Sequence, residues 1–218
     1  MQTGILASKD TQAAWQRLVG ENNAYTWVQD TQTAKNFDVF IDLTFDYNTQ
    51  NIQAYVGNTH TLFLLSAVNA TPESAFLKHS LKHQGEKIFG INAIPSFLER
   101  STLEISNPFN LDTALVQQLS FWEKMEWVKS RVGMVTPRIV FMIINEAYYT
   151  WQEGTAEKSD IDIAMKLGTN YPKGPFEWCN AAGIHHVYNT LLAVYNDTLE
   201  ERYKICPALK SEWIHAQI

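Results

Sequence analysis

His79 and His83 stand four residues apart, the spacing in this chain that most directly suggests metal chemistry, because residues i and i+4 share one face of a helix. Lys78 and Lys82 lie on the same predicted helix. Two ammonium groups beside the imidazoles fit a solvated face rather than a cation site, so no metal is expected. Cys179 and Cys206 have neither a metal nor a redox spacing and read as buried or free thiols of a reducing compartment. His185 and His186 follow Gly183 and read as residues that cap or flank a helix. Trp122, Trp127, Trp151 and Trp178 read as core and interface rather than a ligand cage.

Composition narrows the partners. The 218 residues are 45% apolar, 12% aromatic and 18% charged, enough for a packed core and unlike a disordered chain. A net charge of −6 argues against general affinity for nucleic acid. It also gives no bulk attraction for a polyanionic ligand, so any such site must be local. Met1 to Gly20 lacks a basic start followed by an apolar run. No stretch approaches eighteen consecutive apolar residues. The expectation is a cytoplasmic protein with no membrane span.

The elements that would position any site alternate in the first half. Strands are expected at Thr3–Ala7, Tyr25–Val28, Asp38–Phe45, Thr61–Val68, Lys87–Ala93 and Thr102–Ile105, with helices at Thr11–Val19 and Thr71–His83. Asp38–Phe45 and Thr61–Val68 are near-continuous apolar runs, which suit strands covered on both faces. This βαβ alternation points to an open, mostly parallel α/β sheet. After Ser106 the pattern becomes helical. Leu111–Glu126 reads as an amphipathic helix and Trp127–Val132 as a strand. Thr136 reads as the cap of a long helix that starts at Pro137 and ends near Glu153, with Gly154 as its stop. That helix is apolar nearly all round, through Val140, Phe141, Met142, Ile143, Ile144, Ala147 and Tyr148, which implies burial in a core or between subunits. A last helix is expected at Tyr188–Arg202. The expected division is an α/β domain over 1–108 and a helical domain over 109–218, with the boundary near Pro108.

Ser159 to Trp178 carries the densest set of backbone instructions. Ser159 reads as a helix cap answered by Asp162 three residues on, and Gly168 as the left-handed C′ residue. Tyr171-Pro172 enforces extended backbone. Gly174, Pro175 and Glu177 read as the cap and first turn of a new helix. The run Asp160-Ile161-Asp162-Ile163-Ala164-Met165-Lys166-Leu167-Gly168, followed by Tyr171-Pro172-Lys173-Gly174-Pro175-Phe176-Glu177, resembles the C-terminal domain of the 3-hydroxyacyl-CoA dehydrogenases. The resemblance is strong from Thr136 to Ile184 and extends more weakly back to about Asp38. It implies a truncated Rossmann-like α/β domain followed by the all-α C-terminal domain of that family. It further implies NAD as cofactor, an acyl-CoA-type ligand and a homodimer through the helical domain.

The same resemblance assigns positions to the chemistry. The acid-rich stretch that faces the nicotinamide falls on Asp42-Leu43-Thr44-Phe45-Asp46, with Asp42 as a cofactor-side residue. The substrate hydroxyl contact falls on Thr71, which reads equally well as the cap of the helix beginning at Pro72. The family's general-base histidine falls on Asn92, in Gly90-Ile91-Asn92-Ala93-Ile94-Pro95, and the glutamate that orients it falls twelve residues on at Glu104. The asparagine that heads the long helix in the family falls on Pro137, before Arg138. A dinucleotide fold needs a glycine-rich turn after its first strand, whereas Ala7-Ser8-Lys9-Asp10-Thr11-Gln12-Ala13 has no glycine. Asp30 stands roughly where a ribose-binding acid belongs. Three functions follow. One is a family member whose NAD and catalytic sites are degenerate, with Asn92 and Glu104 as a residual hydrogen-bonded pair. The second is an active dehydrogenase using Glu104, Thr71 and Asn92. The third is a non-catalytic dimeric assembly partner.

Overall fold

The computed structural model describes residues 1–20 and 25–218. Its contacts divide into two compact units, Met1–Met134 and Val135–Ile218. The division therefore falls after Met134 and not near 108, because residues beyond 108 complete the sheet of the first unit.

The first unit runs β1 (Thr3–Leu6), α1 (Lys9–Val19), β2 (Thr26–Val28), β3 (Val39–Asp42), α2 (Ile52–Tyr55), β4 (Leu62–Ser66), α3 (Pro72–Lys78), β5 (Lys87–Ile91), α4 (Pro95–Leu98), β6 (Thr102–Ser106), α5 (Ala114–Gln117) and β7 (Lys124–Val128). Its seven strands order as β2-β1-β3-β4-β5-β6-β7. All neighbours are parallel except β5 and β6. Alternate residues of each strand feed opposite faces. Ile5, Val39, Ile41, Leu62 and Leu64 join Trp15 of α1, Leu98 of α4 and Trp122 in one core. Leu6, Phe40, Phe63 and Leu65 join Ile52 and Tyr55 of α2 and Phe76 of α3 in the other. Both faces are dry, which is why these strands read as unbroken apolar runs.

Several expectations change. Leu111–Glu126 is not one helix: only Ala114–Gln117 is helical, and Lys124–Val128 is the edge strand, displacing the strand expected at Trp127–Val132. The carboxamide of Asn107 bonds both the N–H and the C=O of Leu111, at 2.8 Å each, and fixes a loop where a helix would begin. Val116, Leu119 and Trp122 reach the core without helical spacing. The helix from Pro72 stops at Lys78, where His79 is its C-cap and Ser80 takes a left-handed φ of 54°. His79 and His83 thus do not share a helix face. His83 stacks on Phe109 with ring centroids 3.9 Å apart and lies 2.8 Å from the Glu86 carbonyl.

The second unit holds α6 (Thr136–Gln152), α7 (Lys158–Thr169), α8 (Pro175–Ala182), α9 (Ile184–Thr198) and α10 (Pro207–His215). Thr136 lies within α6, with Pro137 in its first turn. Helix α9 begins four residues before Tyr188 and ends at Thr198. His185 and His186 sit in its first turn, and burial holds the His186 imidazole down to about 3. Helix α6 packs against α8 and α9 and buries Phe141, Ile144 and Tyr148. Both ends of the buried Asn145 carboxamide are used: it donates to the Lys204 carbonyl at 3.0 Å and accepts from the Cys206 N–H at 2.9 Å.

The caps around α7 and α8 differ from the local reading. Ser159 lies inside α7, whose N-cap is Glu157, and Asn170 rather than Gly168 takes the left-handed position, at φ 56°. Asp162 answers no cap on its own helix. Its carboxylate accepts the N–H groups of Phe176 at 2.8 Å and Glu177 at 3.2 Å, and so caps α8 from outside. Gly174 is required there because any Cβ would collide with that carboxylate. The Gly174 N–H donates to Glu177 at 2.9 Å, closing the turn as expected. Losing a cap of this kind typically costs about 0.5–2 kcal/mol. Asp162→Ala should lower stability by about 2 kcal/mol and Ser159→Ala by much less, measured by chemical denaturation.

Candidate functional site at the C-terminal edge of the sheet

In open α/β sheets the crevice outside the carboxyl ends of the strands, where the strand order reverses, is the usual ligand position. Here the order reverses between β1 and β3. The residues at that edge are Ala7 after β1, Asp42 at the end of β3, the Ala67–Thr71 segment after β4, and Asn92 after β5. Asp30 follows β2 on an exposed turn, where its carboxylate accepts the N–H of Gln32 at 2.8 Å.

At the head of α1, Ser8 and Thr11 cap each other. The Ser8 hydroxyl accepts the Thr11 N–H at 3.4 Å, and the Ser8 N–H donates to the Thr11 hydroxyl at 3.0 Å. Beside this turn is a hollow of about 220 Å³ lined by Ala7, Lys9, Gln12, Trp27 and Gln29. Asp10 adds a carboxylate to the same first turn.

Asp42 is fully buried and spends its carboxylate inside the fold. One oxygen accepts from the Thr44 N–H at 2.8 Å and the Thr44 hydroxyl at 2.7 Å. The other accepts from the Asn51 carboxamide at 2.9 Å and the Tyr55 hydroxyl at 2.8 Å. Burial pushes its pKa above the usual carboxylate range, against the pull of these donors. It is a tie between β3 and α2, and Tyr55 and Asn51 carried no sequence signal for this role because they lie nine to thirteen residues away. Asp46, four residues on, keeps some exposed surface. It accepts the N–H groups of Asn69 at 2.6 Å and Ala70 at 3.4 Å, while its own N–H donates to the Ser66 hydroxyl at 3.1 Å.

The hydroxyl of Thr71 accepts the Ser74 N–H at 3.2 Å and so caps α3. Asn92 is buried; its N–H donates to the Glu104 carbonyl at 3.0 Å, and its side-chain oxygen accepts the Ile94 N–H at 3.4 Å. The twelve-residue spacing has a geometric cause. Ile91 pairs Ile105 in the antiparallel ladder, so one step further Asn92 faces Glu104, and opposed residues of such a pair project to one face. Glu104 is half-buried. Gly90, beside them, has no room for a Cβ, which would lie 2.6 Å from the Ser106 hydroxyl and 2.8 Å from the Ala67 Cβ. In the second unit, Pro137 is buried in the first turn of α6, and the Arg138 guanidinium donates to the Tyr203 hydroxyl at 3.1 Å.

Residues 133–215 match the family model described as the C-terminal domain of 3-hydroxyacyl-CoA dehydrogenase. The chain is 44% identical over 78 residues to a 3-hydroxyadipyl-CoA dehydrogenase of Escherichia coli, covering 36% of this chain and 16% of that protein. It is 27% identical over 144 residues to a 3-hydroxybutyryl-CoA dehydrogenase of Clostridioides difficile, covering 66% and 51%. These matches thus span about half or less of the curated relatives' length. Among solved structures, an (S)-3-hydroxybutyryl-CoA dehydrogenase from Ralstonia eutropha shares the fold with a TM-score of 0.70 at 17% identity, over 99% of this chain and 94% of that one. Among the described residues, no helix is long and apolar enough to cross a membrane.

Removing the Asp42 carboxylate would strand the Tyr55 hydroxyl and the Asn51 amide, and a buried unsatisfied group costs about 1–3 kcal/mol. Asp42→Ala should therefore destabilise the first unit by at least ~2 kcal/mol in urea titration. Asp42→Asn, which keeps an acceptor, should cost less.

Proposed function

We propose that the chain, whose residues 133–215 match the C-terminal domain of the 3-hydroxyacyl-CoA dehydrogenase family, is a dehydrogenase-like protein of acyl-CoA and fatty-acid metabolism that holds an acyl-CoA-type thioester without oxidising it. The observation that carries this reading is Asn92. Oxidation of a 3-hydroxyl needs a group that accepts a proton as hydride leaves, which histidine does near neutral pH. A carboxamide does not take up that proton, and the oxygen of this one is engaged with the Ile94 N–H. Loss of a general base costs roughly 10²- to 10⁴-fold in rate.

The residues at the head of α1 also do not fit a dinucleotide. A pyrophosphate approaches main-chain N–H groups across a glycine turn, and here the Ser8 and Thr11 side chains occupy that turn. The hollow of about 220 Å³ beside it is below the roughly 300–1,000 Å³ usual for small-molecule sites. No step of a reaction is assigned to NAD in this chain.

A second reading, an active dehydrogenase with an altered proton acceptor, draws support from the antiparallel register, which sets Glu104 opposite Asn92. It requires the Glu104 carboxylate to do what an imidazole does in the family, with Thr71 and Asn92 handling the hydroxyl. The third reading, a dimeric assembly partner, draws on the second unit. Ile139, Ile163 and Leu167 are 57%, 50% and 82% exposed. A hollow of about 440 Å³ between α6 and α7 is lined by Ile143, Ala147, Ile161 and Met165. Exposed apolar side chains on α6 and α7, with an apolar hollow between these helices, fit an association face, and a homodimer through it is compatible with either function.

Titration with acetoacetyl-CoA and with NADH, each followed by fluorescence, should show binding of the thioester and none of the dinucleotide. NAD-dependent oxidation of 3-hydroxyacyl-CoA at ordinary enzyme turnover would remove the first reading. In that event Glu104→Gln should abolish the activity, and unchanged turnover in that variant would remove the second. Light scattering should give twice the chain mass for the wild type and the single-chain mass for Ile143→Glu; a monomeric wild type would exclude the homodimer.

A further inference from the structure

Strand β7 ends the sheet, and among the described strands β6 is its one neighbour. The register settles which of its main-chain groups are spent. The Lys124 N–H donates to the Ser101 carbonyl at 3.1 Å, and Lys124, Glu126 and Val128 stand opposite Thr102, Glu104 and Ser106 of the parallel β6. In a parallel ladder alternate residues bond the neighbouring strand through both N–H and C=O, and the residues between them turn theirs away. Met125 and Trp127 therefore direct N–H and C=O toward the open edge, where they form a template for a further strand.

The side chains of β7 divide between the two faces. Met125 packs on the core and Trp127 on Phe89, with Trp127 42% exposed. Beside these two is a hollow of about 300 Å³ that Leu119 and Trp122 also line. Lys124 and Glu126 project from the opposite face, with side chains 67% and 51% exposed, and form an ion pair along the strand. Charges of one sign on an edge repel a second copy of that edge. This edge carries a cation and an anion two residues apart, so it can complement itself.

We propose that β7 pairs antiparallel with β7 of a second copy, about a two-fold axis through Met125, and so continues the sheet from one chain into the next. In this register Met125 exchanges both main-chain bonds with the same residue of the copy. Lys124 stands opposite the copy's Glu126, and Glu126 opposite its Lys124. Both are non-hydrogen-bonded pairs, whose Cα atoms approach to about 4.5 Å and whose side chains lie closest. The other registers open to the same groups are worse. Centres at Lys124 or Glu126 set like charges directly opposite, and a centre at Trp127 sets Lys124 against Ser130. On the Met125 face, the hollow beside Trp122 gives the copy's methionine an apolar wall. The contact is confined to one short strand, less than a stable dimer buries. It therefore adds a step at high concentration to whatever mass the chain has in dilute solution. It lies in the first unit and is separate from the association face of α6 and α7, so Ile143→Glu should leave it intact.

Sedimentation of the full chain from about 10 μM to about 1 mM reads this step. The mass should rise about twofold or more above its dilute value, and less so in high salt, which screens exposed pairs. Lys124→Glu alone and Glu126→Lys alone should each hold the dilute mass across the series. An equimolar mixture of the two should regain the rise, as should the double exchange of both charges in one chain. A wild-type mass flat to about 1 mM would overturn the pairing and leave the edge to a foreign strand. A rise that survives in both single variants would overturn the register. Recovery in the mixture separates lost charge complementarity from misfolding, and two folded single variants that stay apart when mixed would also refute the proposal.

Discussion

Main-chain N–H groups at the ends of elements need acceptors, and in this chain buried or partly buried carboxylates supply them. Asp162 serves the first turn of α8, Asp42 the turn after β3, and Asp46 the segment after β4. Glu86, with no exposed surface, accepts the Gly57 N–H at 2.6 Å and the Gln84 N–H at 2.7 Å. A buried main-chain donor without a partner costs about as much as a lost hydrogen bond, so each of these acids holds a crossing of the chain that the strand and helix ladders leave open. The helical turn from α7 to α8 exists in this form because one carboxylate on α7 is aimed at the start of α8 and a glycine leaves it room.

This arrangement explains what was legible in the sequence. Residues whose partners are near in the chain, or whose neighbours are set by strand periodicity, could be read. β3 and β4 were visible because both faces are buried. Gly174, Pro175 and Glu177 were visible because their bonds close within four residues. Local spacing ties Asp162 to the cap of its own helix, whereas its partners lie fourteen and fifteen residues ahead. Leu111 to Trp122 presented a helical pattern of apolar residues, but the Asn107 side chain and the pairing of β7 with β6 decided the backbone instead. Periodicity reports which residues are buried and is silent on whether a loop or a helix delivers them.

The candidate site was legible as a set of positions and not as a set of roles. Asn92 and Glu104 do face each other, because the register of β5 and β6 imposes it. Thr71 caps its helix. Asp42, read as facing a cofactor, is turned into the core by Tyr55 and Asn51. The family match thus lies in residues 133–215, nearly all of them in the second unit. The candidate site residues lie instead at the sheet edge of the first unit.

The reciprocal cap of Ser8 and Thr11 also governs what can approach the head of α1. A phosphate group and the Ser8 hydroxyl compete for the same donors there. A glycine in place of Ser8 would free the approach at a cost of only a few tenths of a kcal/mol in helix capping. The side chain at this one position therefore decides the access of an anion to the turn far more than it decides whether α1 forms.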